Sequence, residues 1–181
     1  MRIATDKASG AKRACKSILK RRVEGAGDAV DVRKELDVML HLAGEGAREH
    51  KQLQLCVLVH IVMEYCEGGD LVKRIIDKGH YTERDAAAAI RTVLEVIAYS
   101  HDMGCMHRDI KPDNCLLADT SDSAPLKIAD WGYADFFRQG QKLKGDVGTS
   151  FYMAPNCPTH YLAPQPHPLF TKSSPAWPSH S

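Results

Sequence analysis

The eight residues His107 to Asn114, HRDIKPDN, set a histidine, an arginine, two aspartates, a lysine and an asparagine ahead of the apolar run CLL. Groups of these types meet the needs of phosphoryl transfer. It requires a carboxylate to orient a hydroxyl and accept its proton, a cation beside the moving phosphate, and acidic or amide oxygens to hold Mg²⁺. Asp109 is the candidate carboxylate, Lys111 the cation and Asn114 the amide ligand, and Asp130 in the later DWG is a second candidate metal ligand. Placing these groups on a loop between a helix and a strand lets them converge on one cleft.

The elements that must carry this loop are readable from periodicity. AKRACKSIL alternates as a strand does, with Ala14, Lys16 and Ile18 on one face. From Asp28 to Leu42 the residues Val32, Leu36, Met39, Leu40 and Ala43 fall at helical spacing, with Glu35 at the edge of the stripe and Gly44 as a stop. CVLVHIVMEY is an apolar strand broken by the glycines of CEGGD, and Asp70 is placed to cap a short helix, LVKRIIDK, closed by Gly79. TERD, Thr82 to Asp85, is a capping box opening a longer helix whose apolar face is Ile90, Val93, Leu94 and Ile97. NCLLA and LKIAD are short strands joined by the polar turn DTSDSAP, and the second delivers Asp130. The order predicts a small lobe of strands with one helix, followed by a helical lobe.

Composition sets outer bounds. With 181 residues, 44% of them hydrophobic and 26% charged, the chain reads as one soluble globular domain or most of one. A formal charge of +1 gives no reason to expect nucleic acid or a membrane as the main partner. The N-terminus has no apolar core of signal-peptide type, and the longest apolar run, near LCVLVHIVM, is too short to span a bilayer, so an intracellular, cytoplasmic location is expected. The six cysteines lack a C-x-x-C pair and the nine histidines an H-x-x-x-H pair, so no structural metal is expected. Residues 157–181 hold six of the nine prolines with no sustained period, and are expected to be a disordered tail.

HRDIKPDN, DWG and GTSFYMAP together resemble the catalytic loop, the metal-binding motif and the end of the activation segment of eukaryotic protein kinases. The lysine two residues after Asp109 is the serine/threonine-specific pattern. More closely, ACKSILKRR, VMEYCEGGDLVKRIIDKGHYTERDAAAAIRTVLEV and APLKIADWGYADFF resemble the plant-type calcium-dependent protein kinases and their relatives, over about Thr5 to Pro155. The resemblance implies an α+β, protein-kinase-like bilobal fold. Its small lobe would span about residues 1–63, its hinge 64–67 and a partial large lobe 68–156, followed by the tail. It implies a serine/threonine kinase acting on a protein substrate with ATP and Mg²⁺, the alternative being a catalytically inactive, truncated kinase-like binding module. By the same resemblance, Lys16 holds the ATP phosphates and Glu35 pairs with it. Met63, Glu64, Tyr65 and Cys66 form the gatekeeper and hinge beside adenine, and Asp70 contacts ribose. Asp109 accepts the proton, Lys111 contacts phosphate, Asn114 and Asp130 hold Mg²⁺, and Thr149 ties the substrate-binding segment to the catalytic loop.

Some features depart from the family. No G-x-G-x-x-G loop precedes ACK, and each lost backbone donor to transition-state charge is typically worth roughly 10²–10³ in rate, so weakened use of ATP is expected. APN stands where APE is usual, placing Asn156 at the glutamate position, and the remaining large-lobe helices are missing, which should leave part of the long helix's apolar face uncovered. The family's first strand is missing as well, so a fragment incomplete at both ends is expected. EGAREHKQLQLCVLV departs from the family and leaves the register of the hinge strand open. DTSDS lacks the glycine and final glutamate of a calcium loop, so no EF-hand calcium site is expected. Asp146 is a candidate partner for Arg108, standing in for a loop phosphate.

Overall fold

The computed structural model describes residues 1–19, 28–43, 51–54, 58–144, 147–153 and 160–162. Its small lobe is a four-stranded antiparallel sheet of β1 (Arg2–Thr5), β2 (Lys12–Leu19), β3 (Lys51–Gln54) and β4 (Leu58–Glu64), in the order β1-β2-β4-β3. Helix α1 (Asp28–Ala43) follows β2 in the chain. The strand expected at AKRACKSIL forms, and its alternation survives: Ala14 lies opposite Met63 and Lys16 opposite Ile61. Two strands have no counterpart in the periodicity. β1 is four mostly exposed residues, and β3 is KQLQ, too polar for an apolar pattern to mark it. Pairing of β3 with β4, Gln52 opposite Ile61, gives the hinge strand the register that the sequence left open. β4 runs through Glu64, one residue into the expected hinge.

Beyond β4 come α2 (Leu71–Lys78) and α3 (Glu83–Asp102), both with the expected caps. Asp70 accepts a hydrogen bond from the Lys73 N–H at 2.8 Å, and Gly79 closes α2 at φ 82°. Thr82 and Asp85 make the reciprocal capping box of α3, whose two bonds satisfy N–H groups that the first turn would otherwise leave without partners. Short antiparallel pairs complete the large lobe: β5 (Cys105–Met106) with β8 (Asp135–Phe136), β6 (Cys115–Leu117) with β7 (Leu126–Ile128), and β9 (Lys142–Lys144) with β10 (His160–Leu162). The last pair places a three-residue strand, His160–Leu162, within the stretch expected to be a disordered tail. His160, Tyr161 and Leu162 sit between prolines rather than on them, so their N–H groups remain available to a ladder. The rest of that tail, Asn156 and Asp146 lie outside the described residues.

Three apolar clusters hold the described elements, the smallest of them Phe137 and Leu143 with Met106. Another packs Leu71 of α2, Val93 of α3 and Cys115 of β6, with Ile75, Tyr81, Ile97 and Leu126 around them. The third joins the lobes: Val38 of α1 is fully buried against Cys105, Trp131 and Ala134. Of the apolar face expected on α3, Val93 is buried, but Ile90 and Leu94 are 56% and 59% exposed. Periodicity shows which residues share a face, not what covers it.

The connection from β4 to α2 lies tight against β6. Glu67 donates its backbone N–H to Ala118 O, Gly68 to Leu117 O, and Leu117 returns one to Gly69 O. A Cβ on Gly68 would stand 2.1 Å from the Asp119 carbonyl oxygen, a backbone atom that no side-chain rotation can move aside. Gly68→Ala is therefore expected to cost more than about 2 kcal/mol of stability. Thr82→Ala, which removes only the cap, is expected to cost about 1 kcal/mol. Urea midpoints of the two variants check both the magnitudes and their order.

Candidate active site

The cleft between the lobes is lined from both sides. Alternation in β2 turns Ala14 and Lys16 into a cavity of about 650 Å³, facing Asn114 and Asp130 of the large lobe. Glu35 of α1, 5% exposed, meets Lys16 there: the Lys16 Nζ lies 2.7 Å from Oε1 and 2.8 Å from Oε2. The same Nζ is 3.9 Å from Asp130 Oδ1. Lys16 thus stands between a buried carboxylate that anchors it and an exposed one that faces the cavity. Glu35 reaches this point because α1 rests on the Trp131–Tyr133 turn that follows Asp130.

A second cluster forms around Asp109, which is 4% exposed. Thr149 donates its hydroxyl to Asp109 Oδ1 at 2.7 Å, while Lys111 Nζ lies 2.9 Å from Oδ2 and 2.7 Å from the Thr149 oxygen. Asn114 gives its amide N–H to the Asp109 carbonyl at 2.8 Å and to Oδ2 at 3.2 Å. Its Oδ1, which cannot donate, is left as the atom suited to a cation. Burial pushes the Asp109 carboxyl up, but the hydrogen bonds from Lys111, Thr149 and Asn114 and the Lys111 charge together hold it below the ordinary carboxylate range.

Left-handed backbone at two non-glycine residues aims these groups: Arg108 has φ 67° and Asp130 φ 61°. Such conformations cost on the order of 1–3 kcal/mol each and persist where surroundings over-determine them. His107 supplies part of that. Its Nδ1 accepts the Asp109 backbone N–H at 3.2 Å, so Nε2 carries the proton and donates it to Ala129 O at 3.0 Å. The imidazole therefore ties the residue before Asp130 to Asp109, with its ring 4.5 Å from that of Trp131. Gly148 closes the other side, since at φ 110° a Cβ there would stand 2.5 Å from the Arg108 carbonyl.

The residues expected beside a nucleotide divide. Met63, Glu64 and Cys66 line the cavity with Lys16, Glu35, Asn114 and Asp130. Tyr65 and Asp70 are not part of that lining, and the Asp70 carboxylate is engaged as the α2 cap. Burial raises the Cys66 thiol, with the Glu64 charge adding to it. Two exposed ion pairs flank this stretch, Lys12 with Glu67 at 2.8 Å and Lys127 with Glu64 at 2.5 Å. Several lining residues escaped the sequence reading, among them Tyr99 and Ser100 at the end of α3 and Trp131. Only the tertiary fold brings them to the cleft.

About 650 Å³ falls within the ~300–1,000 Å³ usual for small-molecule sites. One carboxylate and one amide oxygen, beside a lysine, suit Mg²⁺ whose remaining ligands are phosphate oxygens and water. Among the described residues no three His, Cys, Asp or Glu side chains form a metal-binding group.

Protonation of the buried groups predicts acid sensitivity. Burial lowers the His107 and His101 imidazoles, so as pH falls below about 6.5 the unfolded histidines take up protons that the folded ones refuse, and stability is lost. Asp109 adds a second loss below about pH 4, as pH falls through its lowered value. Urea midpoints from pH 8 to pH 3 are expected to fall in these two steps, the first shrinking in His107→Gln.

The family model described as protein kinase domain matches residues 2–164. The chain is 48% identical over 160 residues to calcium-dependent protein kinase 2 of Oryza sativa subsp. japonica. It is 45% identical to calcium-dependent protein kinase 14 of the same plant, and 44% identical to calcium-dependent protein kinase 34 of Arabidopsis thaliana. Each alignment covers 84% of this chain, which spans only about 30% of the length of these relatives. Among the described residues no helix is long and apolar enough to cross a membrane. With a family match over most of its length, and lobes, cleft and charged clusters in the order its motifs require, the chain belongs to the protein kinase domain family.

Proposed function

We propose that this chain carries out serine/threonine phosphorylation of a protein substrate with ATP. The observation that supports this best is the junction of two clusters through Asn114: its amide is bound to Asp109 of one cluster, and its side chain faces the cavity that holds Lys16, Glu35 and Asp130. Asp109, ionised at neutral pH, orients the substrate hydroxyl and accepts its proton as the oxygen bonds to the γ-phosphorus. The bond from that phosphorus to the β–γ bridging oxygen breaks, and ADP leaves. Lys111, 2.9 Å from Asp109, stands close enough to balance charge on the moving group. Lys16, fixed by Glu35, serves the phosphates that remain with the nucleotide. Mg²⁺ between Asn114 and Asp130 would neutralise phosphate charge. Met63, Glu64 and Cys66 border the space for adenine.

Phosphotransfer to a serine-containing peptide is the test. Asp109→Asn is expected to lower kcat by ~10²–10⁴-fold with nucleotide binding retained. Lys16→Met should lower kcat/KM for ATP by roughly 10²–10³-fold. Transfer unchanged by Asp109→Asn would exclude this chemistry. MgATP binding without transfer would favour the non-catalytic binding module instead.

A further inference from the structure

Asp135 serves two cations at once. Its Oδ1 lies 2.6 Å from Lys34 Nζ of α1, and its Oδ2 lies 3.3 Å from Arg108 Nη2 of the catalytic loop. Each partner is the immediate neighbour of a residue in the two clusters: Lys34 precedes Glu35, and Arg108 precedes Asp109. The bridge is sheltered, with side-chain exposures of 26% for Lys34, 24% for Asp135 and 7% for Arg108. Its geometry is fixed from several sides. Asp135 pairs across β5–β8 with Met106, the Arg108 Nε donates to Tyr133 O at 2.7 Å, and the next residue, Phe136, packs edge-on against His41 of α1.

We propose that Asp135 is a positioning residue whose carboxylate links α1 to the catalytic loop, holding Glu35 against Lys16 while Asp109 keeps its place across the cleft. Helix α1 belongs to the small lobe, so a hold on it from the large lobe sets whether Lys16 and Glu35 meet. A permanent carboxylate between a helix cation and the loop arginine supplies negative charge at this junction without any modification of the chain. For its effect on rate the proposal rests on the kinase reading above, whereas the bridge itself can be measured without catalysis.

The test combines amide hydrogen exchange with steady-state kinetics on the full chain, using Asp135→Asn, Lys34→Met, their double variant and Asp135→Glu. Exchange across residues 32–43 of α1 is expected to quicken at least about tenfold in each single neutralising variant, with α2 unchanged, since local opening is governed by the contacts of the element itself. Asp135→Glu, which keeps the charge, should restore protection. Where transfer is measurable, kcat should fall by roughly 5–150-fold in either single variant, and the double should fall no further than the worse single, as expected of partners in one coupling. Unchanged α1 exchange in Asp135→Asn and Lys34→Met overturns the proposal, and so does an additive double variant. Should Asp135→Asn fail to fold, Lys34→Met decides alone. A wild-type chain without transfer activity would count against the kinase reading, and exchange would still decide the bridge.

Discussion

Burying a carboxylate obliges a protein to rebuild around it the solvation that water would have given, and Asp109, 4% exposed, sets that obligation for the whole cleft. The compensation is drawn from two places in the chain. Lys111 and Asn114 come from the same loop and Thr149 from forty residues further on, while His107 accepts the Asp109 backbone N–H. Satisfying one charge thereby fixes the loop, the segment around Thr149 and, through the His107 bond to Ala129, the approach to Asp130. The left-handed backbone at Arg108 and Asp130 fits this account, because each lies beside a residue that the network pins.

The small lobe solves a related problem with fewer parts. Glu35 is nearly as buried as Asp109, and both its oxygens face the same ammonium. Such a pair is strongly geometry-dependent, since a buried carboxylate that loses its partner is left uncompensated. Placement of α1 thus matters more than its intrinsic propensity. That placement comes from Val38 in the cluster with Cys105, Trp131 and Ala134, whose apolar contacts give burial without direction, and from polar contacts that give direction. The Cys105 thiol, pushed up to about 12 chiefly by burial, behaves in this cluster as a small apolar group.

Much of this was legible beforehand because it is local. The caps at Asp70 and Thr82 depend on neighbours three residues away, and the alternation that turns Lys16 inward depends only on the strand period. Asp109, Lys111 and Asn114 could be named because HRDIKPDN packs them into eight positions, and Lys16, Glu35 and Thr149 only through the family resemblance. What stayed hidden depends on sequence-distant partners. KQLQ is a strand only because β4 offers it an edge, and His160–Leu162 only because β9 does. Arg108 illustrates the same limit. The described structure brings up Asp135, twenty-seven positions away and without any motif to mark it, while Asp146, which the sequence suggested, lies outside the described residues.

The backbone bonds between the Glu67–Gly69 stretch and β6 also have a mechanical meaning. They make this part of the connection a piece of the large lobe, because it cannot turn without breaking ladder-like bonds to Leu117 and Ala118. β4 is bonded into the small sheet as far as Glu64. Tyr65 and Cys66 are left between the two bonded stretches, the short part of the connection that neither the small sheet nor the bonds to Leu117 and Ala118 hold.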